Sequence, residues 1–119
     1  MLEVVRRDVG DVVVLALSGQ IVGGAGDSLH RAIDTILAEG SHNVLLSMSD
    51  VSWISSSGLG ELVASFSAVK KAGGKLKLAE LSKRVELIIS ISKLPSMLMI
   101  YPTEAAAMAD FGEAPKDAR

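Results

Sequence analysis

The feature that most restricts what this chain can fold into is an alternation. Short aliphatic and β-branched runs take turns with stretches whose apolar residues recur at helical spacing. Asp11-Val12-Val13-Val14-Leu15-Ala16-Leu17-Ser18 is too short and too rich in valine for a typical helix, so it reads as a buried strand. An edge strand, Leu2 to Arg7, precedes it, with Gly10-Asp11 as the turn between them. Asn43 to Met48 and Lys75 to Ala79 read as further inner strands, and Leu98 to Tyr101 as a short last one.

Helices fill the gaps. Leu29, Ile33, Ile36 and Leu37 form one buried stripe, with Asp27 or Ser28 able to cap its start and Gly40 suited to its end. Ser57 to Ala72 carries the stripe Leu59, Leu62, Val63, Phe66 and Val69, with Glu61, Ser65 and Lys70-Lys71 on its wetter side and Gly73-Gly74 as the stop. Ser82 caps a helix reaching about Ser92, which Pro95 keeps from running on. This helix is apolar nearly all round, because Leu87 and Ile91 lie opposite Val85, Ile88 and Ile89; it is either unusually buried or meets a partner. Thr103 caps a last helix from Glu104 to Phe111. The order is β-β-α-β-α-β-α-β-α. Strands joined through helices run parallel with right-handed crossovers, and the initial hairpin makes the sheet mixed. The expectation is an α/β domain over residues 1–111, with four to five strands covered by about four helices and a disordered tail at 112–119.

Composition narrows function by exclusion. At 119 residues and 49% hydrophobic, the chain can build one core without staples, and with no cysteine it has neither disulfides nor a thiolate metal site. Twelve basic against fourteen acidic residues, a net charge of −2, offer no pull toward phosphate backbones or anionic lipid. No apolar run approaches the roughly 20 residues that span a bilayer, and Met1 to Arg7 lacks a signal pattern. A soluble, cytoplasmic domain that neither binds nucleic acid nor inserts in a membrane is expected. His30 and His42 belong to no metal-ligand spacing, so no metal and no cofactor are expected. Gly23-Gly24-Ala25-Gly26 lacks the lysine of a phosphate-cradling loop. Around Ser55 to Ser57 the Gly-x-Ser-x-Gly elbow of a hydrolase is absent, and the chain is expected not to be an enzyme.

What remains is Val51-Ser52-Trp53-Ile54-Ser55-Ser56-Ser57-Gly58-Leu59-Gly60, where a loop after a buried strand enters a helix. Three serines exceed what capping needs, at a place where backbone N–H groups lack partners. Two glycines strip away side chains where another molecule could approach. A phosphate there would bring about −1.5 to −2 charges to the positive end of the helix. Trp53, the single tryptophan, either covers the edge of the core or anchors an interface.

Leu46-Ser47-Met48-Ser49-Asp50-Val51-Ser52-Trp53-Ile54-Ser55-Ser56-Ser57-Gly58-Leu59-Gly60 resembles the signature of STAS domains, the anti-sigma factor antagonists. Leu17-Ser18-Gly19-Gln20-Ile21 and Ile100-Tyr101-Pro102-Thr103-Glu104-Ala105-Ala106 resemble the same family's motifs, so the likeness runs from about residue 2 to 111. The resemblance implies a STAS-like fold and a protein-binding regulatory domain in a sigma-factor pathway. It implies phosphorylation at Ser56, with Ser55 and Ser57 as the alternatives, by an anti-sigma factor kinase of the histidine-kinase-like ATPase class, and resetting by a serine phosphatase. The implied docking surface comprises Ile21, Val22, Gly24, Trp53, Ser55, Ser56, Ser57, Gly58, Leu59, Gly60 and Glu61. The chain departs from the family pattern where Val22, Ser47 and Ser55 stand in place of acids. That departure leaves a second reading, a non-phosphorylated scaffold subunit of a signalling complex or transporter that self-associates through a patch such as Leu87 and Ile91.

Overall fold

The computed structural model describes residues 2–22, 28–92 and 98–111. The expected loop Gly23 to Gly26, the stop at Pro95 and the tail 112–119 lie outside these residues. The elements are β1 (Leu2–Val9), β2 (Val12–Ile21), α1 (Ser28–Ala38), β3 (Asn43–Ile54), α2 (Ser56–Lys71), β4 (Lys75–Ala79), α3 (Lys83–Ile91), β5 (Met99–Tyr101) and α4 (Glu104–Asp110), the order expected from the sequence.

The five strands form one mixed sheet in the order β1-β2-β3-β4-β5. Val9 pairs with Val12 across a two-residue turn in which Gly10 has φ of 59°, a left-handed conformation that favours glycine and suits the twist of a tight hairpin. Every later neighbour is parallel, as helix crossovers require. Val13, Leu15 and Leu17 of β2, Val44, Leu46 and Met48 of β3, and Leu76 and Leu78 of β4 bury one face. Leu29, Ile33 and Ile36 of α1, Leu62 and Val69 of α2, and Val85 and Ile89 of α3 close over it. Side chains alternate along a strand, so Val12, Val14, Leu45 and Ala79 face the other way, where Ala107, Met108 and Phe111 at α4 cover them.

Three expectations change. β3 does not stop at Met48 but runs on to Ile54, keeping its pairing with β2 through register shifts between Ala16 and Ser18 and between Gly19 and Gln20. Trp53 therefore sits on a strand opposite Gln20, not in a loop. Ser65 is buried on α2, not on its wet side. α2 begins at Ser56, one residue earlier than its apolar stripe suggests.

Candidate functional site

The site is the place where β2 and β3 end side by side and α2 begins. Ile54 pairs with Ile21, and both side chains are buried, which fixes the two strand ends against the core. The next residue turns into the helix. Its backbone N–H donates to the Ile21 carbonyl at 3.0 Å, and its hydroxyl donates to the Val22 carbonyl at 3.1 Å. That residue is Ser55, and its Oγ also accepts from the Gly58 N–H at 3.0 Å. With extended backbone at φ −85° and ψ 173°, Ser55 is the N-cap of α2. One hydroxyl ties the helix start to both the helix amides and the end of β2.

Gly58 is buried for a steric reason. A Cβ built there would stand 1.9 Å from the Ile21 carbonyl oxygen, so only a residue without a side chain lets the helix approach β2 this closely. Gly60 is different. It is exposed, and an added Cβ would meet nothing within 4 Å. Nothing in the fold requires glycine there, although glycine in a helix costs about 1 kcal/mol relative to alanine.

With Ser55 occupied, Ser56 and Ser57 are left exposed at the first two positions of α2, and neither hydroxyl has a hydrogen-bond partner among the described residues. The backbone amides at such positions have no intrahelical acceptor, and the first turn of α2 contains no acid. This is a polar rim with a positive backbone field and free nucleophilic oxygens. Trp53 stands beside it with 43% of its surface exposed, too open to be a core cover alone. Val22 is 44% exposed, Leu59 packs against the core, and Glu61 is half-buried. Ile21 is buried, so its contribution is its carbonyl, not its side chain. Gly24 lies outside the described residues.

Of the three positions that depart from the family pattern, the structure brings two together. Val22 and Ser55 are in direct hydrogen-bond contact, whereas Ser47 is buried in the middle of β3 between Ala16 and Ala79. Sequence reasoning missed Ser52, whose hydroxyl donates to the Gly19 carbonyl at 3.3 Å and helps hold the extended end of β3 to β2. It also missed the Val22 carbonyl as an acceptor. Two exposed residues separate the buried Val51 and Ile54, so strand alternation gave no signal for the longer strand.

Leu87 and Ile91 project from α3 at 60% and 69% exposure, so the apolar residues opposite its buried stripe face outward among the exposed Lys83, Arg84 and Glu86. Among the described residues no cluster of His, Cys, Asp or Glu could hold a metal ion, and no helix is long and apolar enough to cross a membrane.

A five-stranded mixed sheet, three helices on one face and a short fourth on the other, with a serine-capped helix entry at the parallel strand ends, defines a class. The STAS domain profile matches residues 3–107, and the chain belongs to the STAS domain family. It is 41% identical over 64 residues to the anti-sigma-B factor antagonist of Bacillus subtilis, a stretch covering 54% of this chain and 59% of that relative. The chain thus matches less than two thirds of that relative's length. An anti-sigma factor antagonist from Mycobacterium paratuberculosis has the same fold, with a TM-score of 0.82, 22% identity, and 95% and 96% of the two chains covered. So does the Bacillus cell fate determinant SpoIIAA in its phosphorylated form, at a TM-score of 0.66, 20% identity, and 92% and 98% coverage.

Proposed function

We propose that this chain is an anti-sigma factor antagonist, a protein-binding switch that docks its partner over the α2 entry and is turned off by phosphorylation of Ser56. The observation that carries this reading is the division of labour among the three serines. Ser55 is consumed by the cap, while Ser56 presents an unpartnered hydroxyl at the first position of the helix. The name of the Bacillus subtilis relative supports the pathway.

The partner in this reading is an anti-sigma factor kinase of the histidine-kinase-like ATPase class. It buries Trp53, Val22 and the surface around Gly60, and in doing so releases its sigma factor. A phosphate on Ser56 is tolerated by the folded domain, because the helix start favours an anion. The same phosphate obstructs docking, since it adds about −1.5 to −2 charges that the partner must desolvate. A serine phosphatase resets the switch. Cytoplasmic location follows from that role.

The test compares the wild type with Ser56→Ala after incubation with the cognate kinase and ATP, read by intact-mass spectrometry. The wild type gains one phosphate and the variant none. Equal incorporation in both removes Ser56 from the role. No incorporation in either, with the partner still bound, supports the scaffold reading, for which the lack of acids at Val22 and Ser55 already speaks.

A further inference from the structure

We infer that two copies of this chain pair edge to edge through β1, antiparallel about a two-fold axis at Val5, joining the five strands of each copy into one continuous sheet. Among the described residues β1 lies at one end of the strand order and is bonded only to β2, so every second residue along it points its N–H and C=O away from the sheet. At eight residues it is a long edge, whereas β5 at the opposite end has three. Open edges of this length are ordinarily guarded by charges that repel an approaching copy. Here the charges are arranged so that two copies attract.

With Val5 opposite Val5 of the partner subunit, antiparallel pairing sets Glu3 against the partner's Arg7 and Arg7 against the partner's Glu3. All three residues lie on one face by strand alternation. It is the face on which Arg7 reaches Glu104 of α4. Val5 at the axis is 64% exposed, and the Glu3 carboxylate has no ion pair or hydrogen bond among the described residues. Arg7 is 51% exposed at its side chain, and the guanidinium has donors enough for Glu104 and the partner's Glu3 together. On the other face Arg6 falls opposite the partner's Val4, and its charge is already met by Asp8 at 2.9 Å and Glu39 at 2.7 Å. No like charges oppose one another on either face.

The register is singled out by the same pattern. Sliding one pair toward the C-terminal end of β1 puts Arg6 opposite the partner's Arg6. Sliding one pair the other way puts Val4 on the axis and Glu3 opposite the partner's Val5, so both ion pairs are lost. Directly opposed like charges destabilise a strand pair and opposed unlike charges stabilise it. Pairing at β1 leaves Ser56 and Gly60 outside the interface, so the dimer presents two docking sites to a multivalent partner and gains avidity.

The native chain has no cysteine, which makes the test clean. Opposed Cα atoms in an antiparallel pair are about 4.5–5.5 Å apart, inside the window of about 4.4–6.8 Å that a disulfide needs. Under mild oxidation Val5→Cys should convert to a covalent dimer. Val9→Cys, also exposed on β1 but far from its own copy in this register, should stay monomeric. Adding Glu3→Arg to Val5→Cys sets like charges at both flanking positions and should slow cross-linking at least tenfold. Equal cross-linking of Val5→Cys and Val9→Cys, or no effect of Glu3→Arg, overturns the inference.

Discussion

At the scale of single residues, the site depends on two glycines with opposite physics. Gly58 is there because the Ile21 carbonyl leaves no room for a Cβ, so Gly58→Ala must push α2 off the end of β2. We expect it to lower stability by about 1–3 kcal/mol, the cost typical of overpacking a tight contact, measured by urea unfolding. Gly60 has open space instead, and Gly60→Ala should raise stability by up to about 1 kcal/mol through helix propensity alone. A stability loss at Gly60 would mean that the fold itself requires the glycine. Ser55→Ala removes the cap and its tie to Val22, and should cost about 1 kcal/mol. Much of this was legible in the sequence: three serines before Gly-Leu-Gly announce a helix entry with hydroxyls to spare. Which serine is spent on the cap was not, because adjacent serines are equivalent until the path of the chain out of Ile54 decides which Oγ can reach the Gly58 N–H.

At the scale of elements, every strand and helix was foreseeable from hydrophobic periodicity, and the errors fall where one element's shape depends on another. Ser49, Asp50 and Ser52 disfavour a strand on propensity, yet β3 continues because two register shifts against β2 bring Val51 and Ile54 to the core while the polar residues face out. Such bulges belong to a pair of strands and leave no mark in either alone. Lys77 is the other case. Its strand was expected, but nothing in Lys75-Leu76-Lys77-Leu78-Ala79 says that one lysine is 1% exposed. Its Nζ donates to Asp110 at 2.8 Å and to Tyr101 at 2.9 Å, and lies about 5 Å from the rings of Tyr101 and Phe111. Residues more than twenty positions downstream make that burial possible.

This cluster fastens α4, which buries only Ala107 fully. Burial alone would push the Lys77 pKa down, but the hydrogen bonds to Asp110 and Tyr101 outweigh it and hold the ammonium above its usual range. Hydrogen bonds from Lys77, then Tyr101, hold the Asp110 carboxyl below its usual value of 3.8. A depressed carboxyl contributes stability above its unfolded pKa and loses it as pH falls through the folded one, so α4 should loosen below about pH 4. Lys77→Met, which keeps the stem volume and leaves Asp110 free to hydrate, should stay within about 1.5 kcal/mol of the parent at neutral pH. It should also lose part of that acid sensitivity, as followed by Phe111 and Tyr101 resonances in a pH titration. An unchanged acid profile would show that α4 is held by packing alone.

At the scale of the whole molecule, the sheet sets the two proposed surfaces apart in space. In the function proposed above, the parallel strand ends and the start of α2 make the docking surface; in the inferred dimer, the antiparallel edge β1 makes the self-pairing one. The sequence pattern pointed to the first as the candidate, since loops at the ends of parallel strands carry function on a rigid scaffold. It did not predict the second, because the complementarity of Glu3 and Arg7 is visible only once β1 is known to be an edge with Val5 exposed. The central claim is that a partner docks over the α2 entry, and Gly60 tests it most directly because its surroundings are empty. The affinity of the cognate anti-sigma factor should be measured by calorimetry against the wild type and Gly60→Arg, with unfolding followed in parallel. The account predicts unaltered or slightly raised stability and at least about a tenfold loss of affinity, roughly 1.4 kcal/mol. Equal affinity for the two proteins would contradict it.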